Sequence, residues 1–357
     1  MRFMRHGLGL AAILASAGVA IGADAQLPRY RVTDLGTLGG ASSLGVAVNS
    51  DGHVVGQART SAGNRHAFLY RRGAMIDLGT LGGNESAGNW INDEGTIVGW
   101  AEVGDGVARH AFRYRGGVMT DLGTLGGTSS IATGINLFGQ IVGGSDIADD
   151  IAEHAYLLSH GTMTDIGTLG GTTSVALAIN NVGHLTGFAD IDEDAATHAF
   201  LYRHGKTIDL GTFGGSFSAG VAINDKGEIV GDALTADDAA DRAFLFSHGR
   251  MKDLGTLGGS DSNALGINNC SEITGIANTA SGDVRAFIVT GGVMHDLNLL
   301  LDHETAAGWI LIEGVGINDE GQIVGFGRIN NLSHGFLLTP IKHHGHDQHR
   351  ERECDRD

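Results

Sequence analysis

Several short acidic segments contain the residue types that bind divalent cations. In "ADIDEDAATH", Asp190, Asp192 and Asp194 alternate as the carboxylates of a calcium-binding loop do. Ala195 stands where such a loop needs its turn glycine, and no glutamate follows at the twelfth position. Two interpretations of these three aspartates therefore stay open, namely a calcium site and a solvated, variable loop.

Two further segments, "GSDIADDIAEH" and "DALTADDAADR", have a similar composition. The sequence repeats a unit of four short strands, and all three segments lie between the second and third strands of such a unit. We therefore expect them on one face of the fold. Together they supply the candidate ligand-binding residues, which are Asp146, Asp149, Asp150, Asp190, Asp192, Asp194, Asp237, Asp238 and Asp241.

Histidines occur in two settings. His343, His344, His346 and His349 lie in the C-terminal tail, where neutral imidazoles could bind a transition metal weakly. The competing interpretation is a disordered, charged tail over residues 342–357. A second set belongs to a repeated "HAF" triplet, in which arginine replaces histidine twice, so we interpret that histidine as a structural hydrogen-bond donor and not a metal ligand.

A glycine-rich segment, "DLGTLGG", starts at Asp34 and returns, with small changes, every 43 or 44 residues. A phosphate-binding loop would continue with lysine, then serine or threonine, and then a helix. Here small polar residues and a strand pattern follow instead. We therefore interpret the segment as a turn between two strands.

Two other signatures recur with this period in a fixed order, an "IN..G.IVG" hairpin and the "HAF" strand. Each unit thus reads as four short strands, which is typical of one blade of a β-propeller. The last unit supplies only three strands, whereas residues 29–35 match an isolated fourth strand. We predict an all-β, seven-bladed β-propeller of four-stranded antiparallel blades over residues 26–341, with its ring closed by this N-terminal strand; an open solenoid is the alternative.

The three signatures together resemble the HAF repeat, an extracellular, β-propeller-like repeat family found in exported bacterial proteins. The resemblance covers residues 29–341. It implies export and repetition, and it implies no activity that could be transferred to particular residues.

Residues 1–25 have two arginines, an apolar run and small residues at Ala23 and Ala25, which is typical of a secretory signal peptide. We expect a secreted or periplasmic monomer without a membrane anchor. The formal net charge of −18 argues against nucleic acid as a partner, since phosphates would be repelled. Whether Cys270 and Cys354 pair is left open by the sequence.

The sequence favours a non-enzymatic binding scaffold that contacts a protein or a glycan through the face with the acidic loops. No catalytic residue is assigned, because the strands expected nearest the axis contain only one charged residue, Glu313. The alternative is a propeller-type hydrolase or lyase that uses loop carboxylates such as Asp192 and Asp194. No cofactor is expected apart from the calcium considered above.

Overall fold

The computed structural model describes residues 27–104, 106 and 108–341. The predicted signal peptide, residues 1–25, lies outside the described residues, as does the tail with Cys354 and the four histidines His343, His344, His346 and His349. Within the described residues, no helix has the length and apolar character needed to cross a membrane.

The described residues form 28 strands, which follow one another in a repeating order. Strand β1 is Tyr30–Asp34. Unit A contains β2 (Gly39–Val48), β3 (Val54–Thr60), β4 (Arg65–Arg71) and β5 (Ala74–Asp77). Unit B contains β6 (Gly82–Ile91), β7 (Ile97–Val103), β8 (Ala108–Arg115) and β9 (Val118–Asp121). Unit C contains β10 (Gly126–Ile135), β11 (Ile141–Ile147), β12 (Glu153–Ser159) and β13 (Thr162–Asp165). Unit D contains β14 (Gly170–Ile179), β15 (Leu185–Ile191), β16 (Thr197–Arg203) and β17 (Lys206–Asp209).

The remaining units follow the same plan. Unit E contains β18 (Gly214–Ile223), β19 (Ile229–Thr235), β20 (Asp241–Ser247) and β21 (Arg250–Asp253). Unit F contains β22 (Gly258–Ile267), β23 (Ile273–Thr279), β24 (Val284–Thr290) and β25 (Val293–Asp296). Unit G contains β26 (Trp309–Ile317), β27 (Ile323–Ile329) and β28 (Leu332–Pro340). Short 3₁₀ turns occur at Ala148–Asp150, Asp192–Asp194, Ala236–Asp238 and Leu297–Leu300.

Successive strands within a unit pair antiparallel, as in β14 with β15, β15 with β16 and β16 with β17. The expected all-β fold, built mostly of four-stranded antiparallel sheets, is therefore confirmed. Each pair of first and second strands contains an irregularity, for example between Ala176 and Ala178. There Gly187 of the "IVG"-type strand lies so close to the Val175 carbonyl oxygen that a Cβ would collide with it. The glycine is thus required by a close backbone approach.

The core lies between consecutive units. One fully buried aromatic residue from each third strand packs there, namely Phe68, Phe112, Tyr156, Phe200, Phe244, Phe287 and Phe336. Each apolar cluster draws residues from two units; one contains Val142 of unit C together with Leu185 and Phe200 of unit D. Each sheet is packed between two neighbouring units, so both of its faces are buried. This explains why the second and third strands are apolar on both faces.

The N-terminal strand lies at the end of unit G. Strand β1 pairs antiparallel with β28, with Tyr30 opposite Pro340 and Asp34 opposite Phe336. The residue after β1, Leu35, lies in the same apolar cluster as Val54 of unit A and Val324 of unit G. The first and last units of the chain are therefore in direct contact.

Candidate functional site

Each unit has two ends with different loops, because its strands alternate in direction. We call one end the groove face; it carries the glycine-motif loops and the loops between second and third strands. We call the other end the turn face; it carries the loops between first and second strands. The nine aspartates considered as ligand residues all lie at the groove face, at the ends of second and third strands or in the loops between them.

Three of these aspartates bind the start of the first strand of their own unit, just after the glycine motif. Asp150 accepts a hydrogen bond from the Thr128 backbone N–H at 2.6 Å and a second from its hydroxyl at 3.1 Å. Asp194 binds Thr172 in the same way, at 2.7 and 3.0 Å, and Asp238 binds Ser216 at 2.7 and 2.8 Å. Both carboxylate oxygens of each residue are therefore used within the fold.

The other loop aspartates fall into two groups. Asp149, Asp192 and Asp237 are exposed on short turns. Asp146 accepts a hydrogen bond from the Ser129 backbone N–H at 3.1 Å, and Asp190 accepts one from the Thr197 hydroxyl at 2.6 Å. Among the residues that the structure describes, no group of three or more His, Cys, Asp or Glu side chains could hold a metal ion. Asp190, Asp192 and Asp194 are thus not brought together as cation ligands.

Replacing Asp194 by alanine is expected to destabilise the fold by about 1 kcal/mol, because two hydrogen bonds to Thr172 are lost at an exposed site. Calcium should not raise the thermal midpoint of the protein, since both oxygens of the Asp194 carboxylate already accept hydrogen bonds from Thr172. The measurement is the thermal midpoint of the wild type in millimolar calcium and in chelator, with exposed Asp192→Ala as the matched control. If calcium raised the thermal midpoint of the wild type, and either substitution removed that increase, the result would instead identify a calcium site.

A cluster of carboxylates lies in the groove between units E and F. The Asn263 side chain donates to Asp241 at 2.8 Å, and Asp261 accepts a hydrogen bond from the Asp241 backbone N–H at 3.1 Å. Burial, and then repulsion from Asp241, raises the pKa of Asp232 to about 7, although a hydrogen bond from Asn263 opposes the shift. Asp232 is therefore a carboxyl that can exchange a proton near neutral pH.

The groove between units A and B contains two arginines and an aromatic ring where the groove between units E and F contains carboxylates. Two guanidinium groups pack against the Trp100 ring, with Arg109 Cζ 4.3 Å and Arg65 Cζ 5.2 Å from the ring centroid. Arg65 also forms an ion pair with Glu85 at 2.7 Å. These cation–π contacts hold the arginines and the indole ring against one another.

The residues that line these grooves occupy equivalent positions, two on the second strand and one at the start of the third. Since side chains alternate along a strand, the three share one face of the sheet. From unit A to unit G these sets are Gln57, Arg59 and Arg65; Trp100, Glu102 and Arg109; Gly144, Asp146 and Glu153; Phe188, Asp190 and Thr197; Asp232, Leu234 and Asp241; Ile276, Asn278 and Val284; and Phe326, Arg328 and Ser333. The side chains at these positions thus differ in charge, size and aromatic character from unit to unit, although the strands that carry them are equivalent.

No protein-family model and no curated protein matches this chain. Solved structures are similar to it in fold. They include a puromycin-hydrolyzing peptidase from Mycobacterium tuberculosis (TM-score 0.52, 11% identity, covering 88% of this chain and 54% of the peptidase). They also include the β-propeller domain of the trilobed protease from Pyrococcus furiosus (TM-score 0.49, 8% identity, covering 85% and 99%). A third is TolB from Acinetobacter baumannii (TM-score 0.44, 10% identity, covering 81% and 64%).

At these identities the likeness concerns the fold alone. The chain is all-β, is built mostly of four-stranded antiparallel sheets, and has β-propellers among its structural neighbours. It spans only 54% of the peptidase and 64% of TolB, so nothing about the activity of those proteins is transferred to it.

The interpretation of the "HAF" histidine as a structural donor is confirmed. Its Nδ1 lies 2.7 to 3.0 Å from the carboxylate of the aspartate that opens the glycine motif. The pairs are His66 with Asp77, His110 with Asp121, His154 with Asp165, His198 with Asp209, and His334 with Asp34. In the first four pairs the two residues are 11 positions apart, a spacing that could have indicated the contact in the sequence.

The turn face carries a feature that sequence reasoning missed. The buried asparagine at the end of each first strand donates a side-chain hydrogen bond to the backbone carbonyl of the corresponding asparagine in the next unit. The series runs from Asn49 to Asn92, Asn136, Asn180, Asn224, Asn268 and Asn318, and Asn318 donates to Asn49 at 2.9 Å. These residues line a pocket of about 300 Å³.

Replacing Asn180 by alanine is expected to cost about 2–4 kcal/mol, because buried polar groups lose their partners. Its Nδ2 donates to the Asn224 carbonyl at 2.9 Å, and its Oδ1 accepts from the His184 backbone N–H at 2.9 Å. Urea-induced unfolding would measure the loss. Val182→Ala, in the same turn but 61% exposed, is the control and should change the stability little. Equal stability of the two variants would contradict a structural role for the asparagine.

Proposed function

We propose that this chain is an exported, seven-bladed β-propeller that binds a protein or a glycan through its groove face and has no catalytic activity of its own. Closure is supported by the pairing of β1 with β28 and by the hydrogen bond from Asn318 to Asn49. A closed ring leaves no sheet edge open to other chains. Membership of the HAF repeat family and export by residues 1–25 are part of the same proposal.

The observation that carries the binding function is the contrast between repeated and variable positions within one chain. The residues that hold the units together recur from unit to unit, as the asparagine series and the histidine–aspartate pairs do. The groove positions change their charge, size and aromatic character from unit to unit. A rigid frame with variable side chains on one face suits ligand recognition, since sites on regular elements are positioned well.

The test is a screen of the purified protein against a glycan array and against proteins from the extracellular fraction of its source. A ligand of the acidic loops should be lost on Asp237→Lys and a ligand of the groove beside unit A on Arg59→Glu, each of which reverses an exposed charge on the groove face. Asp51→Lys, an exposed charge reversal on the turn face, is the matched control and should leave binding unchanged. Binding that depends on Asp51 and not on groove-face residues would overturn the proposal.

One observation favours the alternative of a hydrolase or lyase that uses groove-face carboxylates. The raised pKa of Asp232, about 7, suits a general acid in a cleft. If a turnover activity is found and Asp232→Asn abolishes it, the alternative stands. If Asp192→Asn combined with Asp194→Asn abolishes it while Asp232→Asn does not, the catalytic carboxylates are instead those of the loop.

A further inference from the structure

A small pocket lies where the last unit meets the first. It has a volume of about 270 Å³ and is lined by Ser42, Ser43, Leu44, Gln57, Ala58, Arg59 and Arg65 of unit A and by Phe326 and Ser333 of unit G. Ser42 and Ser333 form a parallel bridge between β2 and β28 at its wall. Small-molecule sites typically measure about 300–1,000 Å³, so this pocket suits a ligand no larger than one sugar residue.

The lining is basic in a protein with a net charge of −18. Arg59 is exposed, and one of its terminal nitrogens donates to the Gly63 carbonyl at 2.6 Å, which steadies the side chain. Arg65 is held by Glu85, and its Nε is buried with no hydrogen-bond partner among the described residues. No carboxylate belongs to the described residues that line the pocket. Two arginines therefore line the pocket, Arg59 without a carboxylate partner in the wall and Arg65 paired with Glu85 outside it.

One lining residue differs in size and polarity from its equivalent in the next unit. Gln57 occupies the position that Trp100 has in unit B, where the indole packs against Arg65 and Arg109. The amide of Gln57 is smaller than an indole and adds a hydrogen-bonding group to the wall of the pocket. Phe326 supplies an aromatic ring, and the serines supply hydroxyls. Polar groups, an aromatic ring and guanidinium groups together suit a hydroxyl-rich ligand that bears a negative charge.

We propose that this pocket binds an anionic sugar residue, with its carboxylate or sulfate group on Arg59 and Arg65 and its ring beside Phe326. The inference rests on the proposed binding function and names a ligand class for one groove. It differs from the acidic-loop site considered from the sequence, because it lies in units A and G and uses basic residues.

Isothermal titration of the purified protein with D-glucuronate, D-glucose 6-sulfate and D-glucose tests the proposal. At least one of the two anionic sugars should bind saturably, and D-glucose should bind at least about tenfold more weakly. The two anionic probes distinguish a carboxylate ligand from a sulfate ligand. Absence of saturable binding by both, or equal binding of D-glucose, overturns the proposal.

Three variants locate the binding site. Arg59→Ala should weaken the anionic sugar at least about tenfold, since a charged hydrogen bond is lost. Gln57→Trp should abolish binding, because the larger indole would take up space in the pocket. Arg115→Ala, which removes an exposed arginine paired with Glu94 on the turn face, should have no effect. Unchanged affinity in both pocket variants overturns the proposal.

Failure here and failure of the proposed function give different results. If the screen finds a ligand that is lost on groove-face charge reversal while neither anionic sugar binds, the groove-face function stands and the anionic-sugar pocket does not. If neither the screen nor the titrations find any groove-face ligand, both fail.

Discussion

Replacing Val32 by aspartate is expected to destabilise the folded protein by at least about 3 kcal/mol. Val32 lies in β1, is 7% exposed, and belongs to the apolar cluster that includes Leu311 and Phe336 of unit G. A carboxylate at this position would be buried without a partner, or it would force β1 away from β28. Urea-induced unfolding at neutral pH would measure the loss.

Arg31→Asp is the matched control for this substitution. Arg31 is the preceding residue of the same strand and points to the opposite, exposed side, so Arg31→Asp introduces the same carboxylate without burying it. We expect its effect to stay within about 0.5 kcal/mol. If the two variants were equally stable, β1 would not be an integral part of the sheet, and the proposed closure of the propeller by the N-terminal strand would fail.

The fold was largely predictable because each unit repeats the same local chemistry. The "DLGTLGG" segment illustrates this. Its aspartate accepts a hydrogen bond from the glycine two residues on, as Asp77 does from the Gly79 N–H at 2.8 Å. Its threonine hydroxyl donates to a glycine carbonyl, as Thr80 does to Gly83 at 2.8 Å. Such contacts join residues two or three positions apart, so the sequence pattern indicates the turn directly.

Contacts between units were not predictable in the same way. Asn318 and Asn49 are 269 positions apart, and their hydrogen bond exists only because the last and first units meet. The pocket beside Arg59 has the same origin, since its walls come from both ends of the described chain. The sequence pattern placed each asparagine in the "IN..G.IVG" hairpin, but the direction of its side chain depends on how neighbouring units pack.

The acidic loops are an intermediate case. Their place at the groove face followed from the strand order, whereas the role of Asp150, Asp194 and Asp238 did not. Each binds a residue 22 positions earlier, just after the glycine motif, and that distance carries no local signal. Composition alone therefore could not separate an aspartate that holds a loop from one that is free to meet a ligand.

Asp232→Asn is expected to stabilise the protein by about 2–4 kcal/mol at pH 8 and to have little effect at pH 4. The pKa of Asp232 is raised to about 7 by burial and by Asp241, from the ordinary value of 3.8. Between these two values the unfolded chain has released the proton and the folded chain still holds it. Ionisation therefore favours the unfolded state, and the wild type loses stability as the pH rises through this window.

The measurement is the free energy of unfolding in urea at several pH values from 4 to 8. The asparagine keeps the size of the side chain and cannot ionise, so the variant should lose most of the decline seen in the wild type between about pH 4 and 7. The pKa of Asp241 is also raised, chiefly by burial, and leaves a residual slope of the same sign. Asp237→Asn, an exposed carboxylate in the loop after the same strand, is the control and should follow the wild type. If Asp232→Asn also followed the wild type across this range, Asp232 would be ionised in the fold at no cost, and its assignment as a carboxyl that titrates near neutral pH would be wrong.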